Sequence, residues 1–434
     1  MRRLPGYLSP LTLDVHPMQS TPPRNHPPLN RSRFIRLAWL LAMCLTLLLA
    51  LAPFSSYVAA LPFIRAEWGI SNTTAGLVFS CYLAGYAIAA LMVLPLTDRL
   101  PTRWVFLVSA AVSALGNVLF PLVAYDVVVA CALRLVAGVG LVGIYMPGLR
   151  MISATFPAEN RGAAMGLYVT AFYSANAVSL AATGVLMNTV DWRGAYLALS
   201  LLSAISVPLA LILVRDRTAP GMPESTGRLR VDVLRSRVPR AYIVGYSLHA
   251  MELYAVRVWL PALLAAVLVS RGEDVTKAAA TAATVGGIAL AAGGLGPVIG
   301  GAISDRFGRA KSAMGVFIFS GLLCLAIGWI YDAPWPAVVA VSCVLGWAIA
   351  ADSSIYSTAI TETAPVGLLG STMAVQAFLG FMGGVVGPIF IGAVLDLVSD
   401  ELQWRVGFTA VALLSIPAVA TLYGVRRQSP VHSP

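Results

Sequence analysis

Charged residues are scarce in this sequence: Asp, Glu, Lys and Arg make up 11% of its 434 residues, against 58% hydrophobic. A soluble chain carries about 25% charged residues, and the mean hydropathy here is +0.81. Water is therefore excluded as the solvent for most of the chain. Histidine is nearly missing. His16, His26 and His432 lie near the two ends, which leaves His249 alone in the apolar body. That scatter argues against a histidine metal cluster and against the paired His/acid centre of a membrane-embedded enzyme. The five cysteines (Cys44, Cys81, Cys131, Cys324, Cys343) fall within apolar runs and show no CxxC spacing. They read as small apolar residues, not as a disulfide framework or metal site. No Gly-x-x-x-x-Gly-Lys-Ser/Thr occurs. The nearest approach, Gly308-Arg309-Ala310-Lys311-Ser312, has Ala310 where glycine is required, which argues against a nucleotide-driven pump. No cofactor, metal or enzymatic activity is expected.

What the chain has instead is long apolar runs, at roughly 37–62, 73–97, 104–124, 127–154, 162–186, 194–214, 241–268, 278–303, 312–331, 335–360, 370–395 and 406–425. Lipid tolerates only helices or closed barrels, because backbone polar groups cannot stay unpaired in it. Runs of about 20 residues suit spanning helices, not ten-residue barrel strands. The fold class is all-α polytopic membrane protein, with the lipid bilayer as its solvent. The net charge of +10 is distributed unevenly. With the N-terminus inside, 22 of the 29 cations flank the spans on the cytoplasmic side, 5 lie outside, and Arg134 and Arg257 lie within spans. The bias predicts both termini in the cytoplasm of a plasma (bacterial inner) membrane. It also removes nucleic acid as the reason for the basic pI.

Residues 301–311 form a charged, glycine-punctuated turn between two apolar runs: Gly301, Asp305, Arg306, Gly308, Arg309 and Lys311. Gly301 is expected to let two helices approach closely, and Gly308 to adopt a turn closed to residues with a Cβ. Asp305 can accept from N–H groups at a neighbouring helix start. A degraded copy occupies 94–103, keeping Asp98, Arg99 and Arg103 but with Leu94 and Pro101 in place of glycines. The landmarks recur in order: Asp98-Arg99 as Asp305-Arg306 (offset 207), Gly138 as Gly346 and Pro157/Gly162 as Pro365/Gly370 (208), Trp192-Arg193 as Trp404-Arg405 (212). The loop motif, with Arg134-x-x-x-Gly138-x-Gly140 in the fourth span, resembles the signatures of the major facilitator superfamily of secondary transporters over about residues 35–427. The resemblance implies twelve transmembrane helices in two pseudo-symmetric six-helix bundles that rock about a midplane site. Residues 1–33, rich in Pro, Asn, Ser and Arg without an apolar period, read as a disordered cytoplasmic tail; 215–240, with its prolines, glycines and seven arginines, reads as a basic linker on the anionic inner leaflet, between bundles at 34–214 and 241–427, and 428–434 as a second tail. The resemblance makes Asp98, Arg99, Arg103, Gly301, Asp305, Arg306, Gly308 and Arg309 the cytoplasmic gate.

The seventh span is the most unusual, with His249, Glu252 and Arg257 near its middle. At about 100° per residue these three share an arc of about 140°. A charge at bilayer depth costs roughly 2.5–3.5 kcal/mol even on the lenient insertion scale. Glu252, Arg257 and Arg134 must therefore face the bundle interior with partners or water. Arg257 or Arg134 would bind an anionic group, Glu252 or His249 would exchange a proton, and Asp352 is a candidate counter-ion for either arginine. An interhelical ion pair that merely fixes the seventh helix is the plainer alternative. Tyr82, Tyr173 and Gln376 are candidate cavity contacts, Glu362 and Asp396 sit at helix ends as gate or cap residues, and the glycines of 293–297 and 380–388 mark close crossings. The fifth span lacks the Gly-Pro pair typical of the superfamily's drug/proton antiporters, which argues against that branch. The expected function is a proton-coupled secondary transporter of a small anion or organic carboxylate, working as a monomer. A drug or metabolite efflux antiporter and a non-transporting sensor or scaffold of the same fold are the rival readings.

Overall fold

The structure is a computed structural model that describes residues 29–96, 100–214 and 231–426, and every regular element among them is a helix. The first six spans comprise α1 (Leu29–Ala50), α2 (Ser56–Trp68), α3 (Asn72–Leu96), α4 (Thr102–Val123), α5 (Val127–Thr155), α6 (Ala158–Leu186) and α7 (Trp192–Leu213). A 3-10 turn at Val231–Arg235 leads into α8 (Arg237–Ser270), α9 (Val275–Gly293), α10 (Gly296–Phe307) and α11 (Arg309–Trp329). The chain continues through α12 (Trp335–Ala351), α13 (Ser353–Thr363), α14 (Leu369–Leu397), α15 (Gln403–Leu413) and α16 (Ser415–Tyr423). Together they give 12 spans long and apolar enough to cross a membrane.

Aspartates define several helix starts. Asp126, Asp191 and Asp274 each precede a helix and accept hydrogen bonds from its first N–H groups, so α5, α7 and α9 begin where an acidic cap stands. Polar turns extend two helices past their apolar runs. Residues 29–33, expected in the tail, open α1, and 231–240, expected in the linker, form the 3-10 turn and the start of α8. Apolar patterning misses such turns because their residues carry no long apolar run. Residues 1–28, 215–230 and 428–434, the remainder of the expected tails and linker, lie outside the described residues, as do 97–99 and Arg427.

The two halves repeat one another in a tight helix crossing at matching positions. A Cβ on Gly138 would overlap the Tyr82 carbonyl of α3, and one on Gly346 would overlap the Ala289 carbonyl of α9. α4 packs on α5 and α7, as α11 packs on α12 and α15. The fold is two pseudo-symmetric six-helix bundles. Between them α3 runs along α14, α6 along α9, and α2 against α8 and α9. On α3 and α14 the contacts climb from Asn72 and Thr73 against Asp396, through Gly76 against the Pro388 carbonyl and Ser80 Oγ donating to the Val385 carbonyl, to Tyr86 on Phe381. That is about 20 Å of helix, measured from the end away from the termini. α10 and α13, at the end nearer the termini, pack chiefly within their own bundle. The seam is closed on the far side.

Candidate functional site

Arg134 is 1% exposed on α5, and its guanidinium carbon lies 4.6 Å from the Tyr82 ring centroid, 5.2 Å from Tyr57 and 5.5 Å from Phe79. Nη1 donates to Tyr196 Oη at 3.2 Å, while Nε and Nη2 have no hydrogen-bond partner. No carboxylate of the described residues is within ion-pair reach of it. Three aromatic ring faces and the Tyr196 hydroxyl thus stand in for a counter-ion, since the negative faces of the rings partly offset the lost hydration.

In the other bundle, α8 carries three ionisable groups into different surroundings. His249 Nδ1 lies 2.8 Å from Asp352 Oδ1, both side chains 2% exposed, an ion-pair distance but too oblique for a hydrogen bond. His249 Nε2 is 2.8 Å from Ser353 Oγ. Asp352 reaches α8 because α12 and α13 break at that residue, where the glycine face of α10 presses: Gly300 abuts the Ala351 carbonyl, and Ser354 Oγ donates to the Pro297 carbonyl at 2.6 Å. The expected pairing of Asp352 with Arg257 or Arg134 is therefore corrected; its partner is His249. Glu252, 1% exposed, faces α11 instead of a cavity shared with Arg257, and its Oε1 accepts from Cys324 Sγ at 3.7 Å. The arc of about 140° explains the split. A helix wedged between its own bundle and the seam meets different neighbours at the two edges of such an arc.

Arg257 points to the seam. Its guanidinium carbon lies 5.7 Å from the ring of Tyr173, on α6 of the opposite bundle, and 5.3 Å from Tyr254 on its own helix. It is 8% exposed, its Nε has no partner, and among the described residues no carboxylate is within ion-pair distance. Phe79 and Tyr254, one from each bundle, stand 6.5 Å apart between the two arginine environments. Gln376 donates to Ser357 Oγ at 3.3 Å, linking α14 to α13 within one bundle.

At the terminal end, Arg309 joins Asp305 to Glu362, whose Oε1 it meets at 2.8 Å, and also donates to Ser304 Oγ at 2.6 Å. The motif thus ties α10, α11 and α13 together. Gly308 has φ +85°, a conformation that requires glycine, as expected. Gly301 does not make the close approach; a Cβ there meets only Ser354 Oγ at 3.5 Å, an ordinary contact, while Gly300 makes the tight one. The correction is one position, about 100° around the helix. Arg306 lies over Phe307, and Arg103 donates to the Leu211 carbonyl of its own bundle. Asp98 and Arg99 lie outside the described residues. Asp305→Asn should slow transport several-fold while expression and the melting temperature stay near wild type, because exposed ion pairs contribute only about 0.2–1 kcal/mol; flux and melting curves on the same preparation check it.

Sequence reasoning missed the cage residues Phe79 and Tyr196, the Ser353 contact to His249, and the bond from Cys324 to Glu252. Aromatic residues are too common in apolar helices to stand out. It gave Asp396 only a helix-end role, whereas that side chain crosses the seam to α3.

Twelve apolar helices in paired six-helix bundles, with buried ionisable groups turned inward, define a polytopic membrane transporter. The chain belongs to the Major Facilitator Superfamily, whose family model matches residues 43–269 and 242–434. It is 24% identical over 413 residues to a probable sulfoacetate transporter of Cupriavidus necator, covering 88% of this chain and 92% of that one. It is 23% identical over 402 residues to a glycerol-3-phosphate transporter of Bacillus subtilis (85% and 87% covered) and 25% over 408 to a gallate transporter of Pseudomonas putida (84% and 85%). A bacterial homolog of the human lysosomal transporter Spinster, solved inward-facing and occupied, shares the fold with a TM-score of 0.75 at 16% identity, over 90% of this chain and 97% of that one.

Proposed function

We propose that this chain carries a small organic anion across a bacterial inner membrane by alternating access, coupled to proton movement, with both termini in the cytoplasm. The observation that carries the reading is Arg257: a guanidinium buried at the seam, flanked by one tyrosine from each bundle, with no carboxylate among the described residues to neutralise it. A buried charge without a partner costs several kcal/mol, and an anionic substrate removes that cost whenever it binds. Arg134, equally without a carboxylate in the opposite bundle, gives the substrate path a second positive station. The relatives named for sulfoacetate, glycerol 3-phosphate and gallate handle acids of this kind. His249 with Asp352 supplies a proton carrier beside the path, and Glu252 behind it a second carboxyl. The two bundles at 34–214 and 241–427 are the rocking bodies, and Asp305, Arg306 and Arg309, with Asp98, Arg99 and Arg103, form the cytoplasmic gate.

The test is flux in proteoliposomes, using labelled carboxylates, sulfonates and phosphate esters beside neutral and cationic controls, with and without an imposed pH gradient. Saturable uptake of one or more anions, enhanced by the gradient, is expected. Uptake confined to cations or neutral drugs would overturn the substrate class. Asp352→Asn should retain anion exchange across the membrane yet lose gradient-driven accumulation by about tenfold or more, as a proton carrier's removal uncouples the two flows. Full accumulation in that variant would leave the His249 pair a structural contact.

A further inference from the structure

At the far end of the seam a carboxylate of one bundle is hydrogen-bonded to the other. Asp396, in the last turn of α14, sends its carboxylate across to the first turn of α3. Oδ1 accepts from the Asn72 backbone N–H and from Asn72 Nδ2, each at 2.8 Å. Oδ2 accepts from the Thr73 backbone N–H at 2.8 Å and its hydroxyl at 2.6 Å. One carboxylate of one bundle thus takes four donors from the other. The two N–H groups are among those a helix start leaves unpaired, and the positive end of the helix favours an anion there. α5, α7 and α9 supply such an anion from their own preceding residue. Ahead of α3 stands Ser71, whose Oγ engages the Thr74 N–H at 3.2 Å, leaving Asn72 and Thr73 to the other bundle. The cap of α3 is complete only while the bundles meet on this side.

We propose that Asp396 is the latch of far-side closure: breaking its four bonds to α3 is a required step in opening this side, so it sets the rate of the conformational cycle and leaves substrate affinity untouched. The inference rests on the alternating-access reading above. Asp396 is exposed, and beside it lies a cavity of about 480 Å³ lined in part by Arg65, Asn72, Asp400 and Trp404. Solvent at that cavity can take over both the freed carboxylate and the freed N–H groups, so the latch is reversible. Below it the described residues of the seam meet through apolar surfaces, the Arg257 guanidinium against the Tyr173 ring, and the neutral hydrogen bond from Ser80 Oγ to the Val385 carbonyl at 2.7 Å.

Asp396→Asn and Thr73→Val separate a latch from a mere helix cap. The measurement is hydrogen–deuterium exchange on the full chain in lipid nanodiscs, with anion flux on the same variants. For Asp396→Asn, exchange should quicken about tenfold, the scale of losing an acidic cap. It should do so along 72–86 of α3 and also along 177–186 of α6 and 278–287 of α9, the second far-side contact. Thr73→Val should shift the same segments in the same direction by less. Turnover should change with KM held constant. Quickening confined to 72–75, no quickening, or a changed KM at constant turnover would overturn the latch. Should Asp396→Asn fail to fold, Thr73→Val alone decides by the same segments. Failure of every anion to be transported, with the three-segment exchange pattern present, would sink the substrate proposal and leave the latch standing.

Discussion

Arg257→Ala should lower kcat/KM for anion uptake by about 100-fold or more without destabilising the empty protein. The two halves of that expectation come from one fact. Arg257 has no carboxylate partner among the described residues, only the faces of Tyr173 and Tyr254. Deleting one member of a buried, hydrogen-bonded charge pair costs about 2–5 kcal/mol, and 100-fold in kcat/KM is about 2.7 kcal/mol. That penalty falls on the complex with substrate, because only there does the guanidinium gain its counter-charge. In the empty protein the same side chain is a buried charge without a partner, so its removal should leave the melting temperature unchanged or raise it. A scaffolding ion pair predicts the reverse: lower stability with transport reduced only in proportion to folded protein. Arg257→Lys should recover part of the affinity, since the ammonium keeps the charge but loses the planar two-donor fork. Flux kinetics and melting curves on the three proteins decide between these patterns. A fully active, destabilised Arg257→Ala protein would reduce the residue to packing.

The fold was legible because lipid leaves so few options. Run length forces helices, the repeated landmarks force two similar halves, and the cost of burying Arg134, Glu252 and Arg257 forces them inward; they are 1%, 1% and 8% exposed. Which partner each would find was not legible. Helical periodicity fixes directions about one axis, but the neighbour in each direction depends on how six helices are arranged. So Glu252 and Arg257, on one arc in the sequence, went to α11 and to the seam respectively. Asp352 went to His249 because a glycine face on α10 bends the twelfth and thirteenth helices at that residue. The far-side role of Asp396 had a faint signal. α3 follows Ser71 and not an aspartate of the kind that precedes α5, α7 and α9; Ser71 Oγ reaches the Thr74 N–H and leaves the Asn72 and Thr73 N–H groups to another acceptor.

Gly138→Ala and Gly346→Ala should each cost about 3 kcal/mol or more, enough to remove most folded protein from the membrane fraction. The reason is what a methyl group would meet. At both sites it falls on a backbone carbonyl of the crossing helix, Tyr82 of α3 or Ala289 of α9. Backbone cannot rotate aside as a side chain does, so the helix pair must move apart along its length. Overpacking a core costs typically 1–3 kcal/mol and occasionally more, and close helix approach is the main attraction available inside lipid. The control is Gly162→Ala at the start of α6, where a Cβ meets nothing within 4 Å. That change should be neutral or slightly stabilising, since alanine favours a helix over glycine by about 1 kcal/mol. The comparison also tests the duplication. If the two crossings are copies of one contact, the variants should lose similar amounts of folded protein in thermal unfolding. Because they sit in separate bundles, the losses in the double variant should add. Tolerance of alanine at one site and collapse at the other would mean that the repeated spacing survives in the sequence while only one bundle still depends on it.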